Sequence, residues 1–222
     1  MPTAPERIES NLAEVRRRIA EAAERSGRTE DAVRMIAVTK TVGIEEARLL
    51  HQFGVKELGE NRLDTARPKI EALAAGIVWH MIGTVQRRKA RDIVPLFDWV
   101  DSIDRVALAE ALEKQCRDQD KFLPILIEVN VSGETSKHGF TPDTLPPALG
   151  QMARFEHLNV QGLMTMAPLV DDPEDTRPVF ARLRELGDLH GLPELSMGMT
   201  NDFEVAIEEG ATQVRIGSAL FR

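Results

Sequence analysis

Tyrosine is absent from this 222-residue chain, and cysteine occurs once, at Cys116. A lone thiol forms no internal disulfide, which fits a reducing compartment. No apolar run approaches the roughly 20 residues that span a bilayer. The opening MPTAPERIES lacks the apolar stretch of a secretory signal, so a cytoplasmic location is expected. An excess of basic charge is also missing: 28 Lys and Arg face 36 Asp and Glu, for a net charge of −8. The basic residues are scattered rather than striped, which disfavours nucleic acid and an acidic membrane surface as partners. Metal-ligand spacing is lacking too, since the five histidines are far apart and neither H-x-x-x-H nor C-x-x-C occurs. No Pro/Gly/Ser-rich linker, low-complexity segment or short-period repeat divides the chain. One domain over residues 1–222 is therefore expected, and no obvious apolar patch argues against a monomer.

What is present is a rhythm. Thr3 and Glu6 make a capping box ahead of a helix marked by Ile8, Leu12, Val15 and Ile19, which Ser26-Gly27 stops. Eight short apolar runs follow: Met35–Val38, Val55–Leu58, Ile77–Met81, Phe97–Val100, Leu123–Val131, Asn159–Met164, Glu194–Met197 and Gln213–Ile216. Helix-like segments alternate with them, at about Gly43–Phe53, Glu60–Ala74, Val85–Ile93, Asp104–Cys116, Thr141–Ala153, Pro178–Leu189 and Asp202–Glu209. Continuous apolar runs suit parallel strands buried on both faces, and the alternation argues for βαβ units. Eight strands with eight helices, the first included, predict an α/β fold closed as a (β/α)8 TIM barrel. The competing architecture is an open doubly wound sheet, but no G-x-G-x-x-G follows the first strand.

Barrel chemistry collects at the C-terminal ends of the strands, and the residues that would be strange in a core fall there. Lys40 ends the first strand. Burial there would lower its pKa toward a neutral amine that condenses with a carbonyl ligand; the alternative is a solvated lysine on a turn. Gly198, after Ser196 and Met197 and before Met199, allows close backbone approach, as does Gly217 beside Ser218. Phosphate commonly sits between these last two loops, although ordinary turn chemistry explains the same residues. Arg215 lies one step inside the final turn. A guanidinium at that depth needs a phosphate, a carboxylate such as Glu128, or a heteroaromatic nitrogen. His80 is either a ligand contact or a buried histidine satisfied by hydrogen bonds. Asn61 faces a ligand or caps a helix. Ile82 and Met164 complete the set of strand-end positions.

In order and spacing, Ala37-Val38-Thr39-Lys40, Gly59-Glu60-Asn61, Trp79-His80-Met81-Ile82-Gly83, Gln86, Lys89, Ser136-Lys137, Gly139, Gly162-Leu163-Met164, Leu195-Ser196-Met197-Gly198-Met199 and Arg215-Ile216-Gly217-Ser218 resemble the pyridoxal phosphate homeostasis protein family. These are pyridoxal 5'-phosphate (PLP) barrels related to the barrel half of alanine racemase, and the resemblance covers essentially the whole chain. It implies PLP as cofactor, Lys40 as its Schiff-base lysine, and phosphate held by Ser196, Gly198, Met199, Gly217 and Ser218, largely through backbone N–H groups. It implies Arg215 near the pyridine nitrogen and Asn61 near the ring. An arginine there disfavours a protonated pyridinium, which weakens the cofactor as an electron sink. Lys137 matches a family lysine that offers a second amine for PLP transfer, with a solvated loop lysine as the alternative. Departures are Arg62-Leu63-Asp64 where a Gln often follows Gly-Glu-Asn, Arg88 where an Asn often precedes the lysine, and Ser218 where threonine is common.

The resemblance implies a carrier that takes part in vitamin B6 homeostasis and passes PLP to PLP-requiring apo-enzymes, without turnover. A racemase needs two bases on opposite faces of the cofactor adduct; in barrel racemases the second is a tyrosine, and this chain has none. A Schiff-base aldolase acting on a phosphorylated sugar would use the same lysine and phosphate loops, and stands as the other enzymatic alternative.

Overall fold

A computed structural model describes residues 3–73, 75–134 and 137–222. Its centre is a closed barrel of eight parallel strands: β1 (Arg34–Val38), β2 (Glu57–Glu60), β3 (Val78–Met81), β4 (Trp99–Ile103), β5 (Leu123–Glu128), β6 (Leu158–Met164), β7 (Glu194–Met199) and β8 (Gln213–Ile216). β8 closes on β1 with Ile36 opposite Arg215. The open-sheet alternative is thereby excluded.

Among the described residues nine α-helices surround it: α1 (Ala4–Arg25), α2 (Ile44–Gln52), α3 (Leu63–Ala72), α4 (Ala90–Ile93), α5 (Val106–Asp118), α6 (Leu145–Met152), α7 (Arg177–His190), α8 (Phe203–Glu208) and α9 (Ser218–Phe221). The segment expected as one helix over Val85–Ile93 is a 3-10 turn at Arg87–Lys89 running into the short α4. Ala74, to which the third helix was expected to extend, lies outside the described residues. The first helix starts as its capping box predicts, with the Thr3 N–H donating to Glu6 Oε2 at 2.8 Å. α1 buries Ile8, Leu12, Val15 and Ile19 and packs on α8, α9 and α2. Asn11 Nδ2 donates to the carbonyls of Leu220 and Arg222, tying α1 to the last turn.

The outer faces of the strands and the inner faces of the helices form an apolar shell. The inside of the barrel is different. Side chains of alternate strand residues meet there as a polar lattice, a layer that a purely apolar strand pattern does not announce. Arg34 Nη2 donates to Glu194 Oε2 at 2.8 Å, and its other nitrogen lies 3.7 Å from Glu57. Its guanidinium stands over the Trp99 ring, 5.1 Å from the centroid. Gln213 Nε2 donates to the same Glu194 oxygen at 3.1 Å. Among the described residues no helix is long and apolar enough to cross a membrane.

Candidate cofactor site at the barrel mouth

A cavity of about 730 Å³ opens at the C-terminal ends of the strands, where barrels place their chemistry. Seven of the eleven sequence-selected residues line it: Lys40, Asn61, Ile82, Met199, Arg215, Gly217 and Ser218. Each follows from strand register. Lys40 lies two residues past β1, Asn61 directly after β2, and Ile82 directly after β3. Lys40 is exposed rather than partly buried, in contrast to the desolvation expected from its strand-end position. Gly83 lets Asn61 come close: a Cβ on Gly83 would sit 2.3 Å from the Asn61 carbonyl oxygen.

The other four lie off the cavity wall. His80 is fully buried inside the barrel. Its Nδ1 faces Asp101 Oδ2 at 3.0 Å and its Nε2 faces Glu57 Oε2 at 3.1 Å. The ring stacks on Trp99 with centroids 5.6 Å apart. Burial opposes its protonation, but the flanking carboxylates of Asp101 and Glu57 outweigh that, and its pKa is pushed up to about 9. The hydrogen-bonded reading of this histidine therefore replaces the ligand contact. Ser196 is buried, and its Oγ accepts from Arg215 Nη1 at 2.7 Å. Met164 is buried in β6. Gly198 is buried in β7, where the four residues from Ser196 to Met199 oppose three of β8, Gln213 to Arg215, a bulge. Its φ of +91° and the 2.6 Å that would separate a Cβ from Ala206 Cβ require glycine.

Arg215 is buried, and Nη2 donates to the Thr165 carbonyl at 2.8 Å. No carboxylate pairs with it among the described residues, so the alternative of a Glu128 salt bridge is not realised. Burial pulls its pKa down, while Asp101, Asp202 and Glu128 oppose that at longer range. Glu128 lines the cavity, and burial, with Asp104 nearby, pushes its pKa up. Asp202 is also raised by burial, against the Met199 N–H that donates to Oδ1 at 2.6 Å. The Met199 amide is thus already engaged. The amides of Thr200, Asn201, Gly217 and Ser218 donate to no acceptor among the described residues.

Sequence reasoning missed the remaining wall. The loop after β6 supplies Met166, Ala167, Pro168, Leu169, Val170 and Pro173, an apolar rim with Leu169 89% exposed. Loop residues carry no period that would have marked them. Glu128, named from the sequence as a candidate partner of Arg215, is legible as an acid inside the apolar run LPILIEV. Lys137 is held at the rim by the Glu134 carboxylate and donates to the Met166 carbonyl at 3.1 Å. Its motif partner Ser136 lies outside the described residues.

Residues 10–222 match the family model "Alanine racemase, N-terminal domain". The pyridoxal phosphate homeostasis protein of Aquifex aeolicus is 42% identical over 217 residues, 95% of each chain. The chain belongs to the pyridoxal phosphate homeostasis protein family. An unknown protein from Bifidobacterium adolescentis has a similar crystal structure, with a TM-score of 0.90 at 34% identity over 98% of this chain and 96% of that one. PipY of Synechococcus elongatus PCC7942, solved with PLP bound, matches with a TM-score of 0.85 at 32% identity, over 97% of this chain and 100% of that one. Family and fold thus agree with the cavity's place at the strand ends.

The donor set suits a phosphorylated aldehyde. It combines an exposed primary amine, a buried guanidinium bonded only to neutral acceptors, and amides without acceptors on the two loops where barrels bind phosphate.

Proposed function

We propose that this protein binds PLP in the barrel-mouth cavity as a Schiff base on Lys40 and takes part in cytoplasmic vitamin B6 homeostasis as a single-domain carrier without catalytic turnover. The observation that carries the reading is the convergence of Lys40, Arg215 and the Gly217-Ser218 turn on one cavity. When bound, PLP supplies an electrophilic aldehyde carbon. The Lys40 amine would condense with it and release one water, and the exposed position of Lys40 would keep this exchange reversible with solvent. Arg215, held by Ser196 and the Thr165 carbonyl, offers its positive charge to the pyridine nitrogen and discourages ring protonation. The amides of Gly217, Ser218 and Thr200 would hold the phosphate, and Asn61 would border the ring. The Met199 backbone is left out of this set because Asp202 already occupies it.

Absence of turnover rests on the missing second base. The chain has no tyrosine, and the racemase alternative needs a base on each face of the adduct. PLP reaches apo-enzymes from an open cavity rather than a sealed one, and the acidic chain carries it as a monomer.

The test is a PLP titration followed by absorbance, borohydride reduction and peptide mapping, on the wild type and Lys40→Ala. A visible imine band and a reduced pyridoxyl group on Lys40 are expected, both lost in Lys40→Ala with no change in melting temperature. An absent band in the wild type overturns the cofactor reading. Racemisation or transamination of an amino acid at enzymatic rates overturns the carrier reading.

A further inference from the structure

Lys40 leaves the barrel from a turn whose last regular anchor is the Thr39 N–H on the Gly59 carbonyl, at 3.0 Å. In a parallel ladder the next rung would place the Asn61 N–H on the Thr39 carbonyl. Two other donors take that place, the Val42 N–H of the same turn at 3.1 Å and a side chain. Lys69, on α3, donates from Nζ to the Thr39 carbonyl at 2.6 Å. The same ammonium donates to Glu60 Oε1 at 2.6 Å. Glu60 Oε1 also accepts from Thr39 Oγ1 at 2.6 Å, and Oε2 accepts from Thr65 Oγ1 at 3.1 Å. The Lys69 and Glu60 side chains are 5% and 0% exposed.

A buried ion pair is weak evidence for stability, because desolvation consumes much of its attraction and apolar residues of similar size do as well. Its value lies in what it holds. Here it holds Thr39 by carbonyl and hydroxyl together, directly before Lys40, while Glu60 stands directly before Asn61. Lys69 itself does not line the cavity.

We propose that the buried Lys69–Glu60 pair is the positioning device of the cofactor site, fixing where Lys40 leaves β1 and where Asn61 leaves β2. This rests on the reading of Lys40 as the PLP lysine. Neither residue touches the cofactor, so both act through Thr39 and the strand ends.

The experiment compares PLP affinity, imine spectrum, borohydride trapping and melting temperature in the wild type, K69M and the double variant K69M/E60Q. K69M leaves a carboxylate buried alone and is expected to melt well below the wild type. Adding E60Q removes that charge and is expected to restore most of the melting temperature. It is not expected to restore PLP binding, whose apparent Kd should stay about tenfold weaker, the scale of one charge-assisted hydrogen bond. A double variant with wild-type affinity and spectrum overturns the assignment while leaving Lys40 as the PLP lysine. A wild type that traps no PLP on Lys40 overturns the cofactor reading and this inference with it. Thr39→Val keeps the pair buried and charged and removes one tether. Should the double variant not fold, T39V decides the matter: weaker PLP binding with an unchanged melting temperature supports the assignment, and unchanged binding overturns it.

Discussion

The floor and the mouth of this barrel are built from the same residue types and treat them in opposite ways. At the floor, Arg34 is shared between Glu194 and Glu57, and His80 between Asp101 and Glu57. Among the described residues the one orphan there is Gln213 Oε1. At the mouth, among the described residues, Lys40 is exposed without an ion pair, Arg215 donates only to a hydroxyl and a carbonyl, and the amides of Thr200, Asn201, Gly217 and Ser218 have no acceptor. Groups that saturate one another lock strands in register. Groups left open around a cavity are the ones a ligand completes. The two lysines near Thr39 repeat the contrast: Lys69 is consumed by the scaffold, and Lys40 is free to react.

The contrast breaks most visibly at His80. Its pKa of about 9 stands above the unfolded value of about 6.5, so the folded state binds the proton more tightly. Stability from this group is therefore fully present below about pH 6.5 and is lost as pH rises through about 9. The amount is on the order of 3 kcal/mol. Wild-type unfolding free energy, measured from pH 6 to pH 9.5, is expected to fall across that window. His80→Gln, which keeps a donor without the charge, is expected to flatten the fall. A variant with the wild-type slope would show that the imidazolium does not hold the floor together.

A smaller effect belongs to Gly198, where scaffold and mouth meet. The β7 bulge turns the chain toward Thr200 and needs φ of +91°. Gly198→Ala adds left-handed strain and a Cβ 2.9 Å from the Phe203 Cα. A loss of about 2 kcal/mol is expected, read by urea unfolding, together with weaker binding of inorganic phosphate by calorimetry. Stability loss with intact phosphate binding would confine Gly198 to the scaffold.

The same contrast explains what the sequence discloses. Strand number and order are legible because the outer faces of the strands are mainly apolar, Glu60 of β2 with its Lys69 partner being an exception. Strand ends are less so, because the inner face is polar. Glu60 reads as a helix start, although it belongs to β2. Trp99, Asp101 and Ser102 likewise shift β4 two to three residues beyond its apolar run. At the site, Lys40, Asn61, Arg215 and Gly217 are legible as polar or glycine residues just at strand ends. His80 and Ser196 share that description but point into the barrel below the cavity, and only register separates the two depths. α9 is four residues long, too short for helical periodicity to show.

The smallest effect on folding is expected at the rim, and it sharpens the comparison for that reason. Leu169 is 89% exposed although it lines the cavity. An apolar side chain left in water contributes little to the folded state, so Leu169→Ser should change stability by no more than about 0.5 kcal/mol. The same loop and Lys40 line one cavity, so if Lys40 is the PLP lysine the apolar wall would limit how readily water reaches an imine there. Release of PLP to an excess of an aldehyde scavenger is therefore expected to be faster in Leu169→Ser than in the wild type at equal melting temperature. Equal release rates would assign the rim no part in retention. Retention would then fall to the phosphate loops and to the Schiff base itself, and the division between a saturated floor and an open mouth would have to be drawn inside the cavity rather than at its edge.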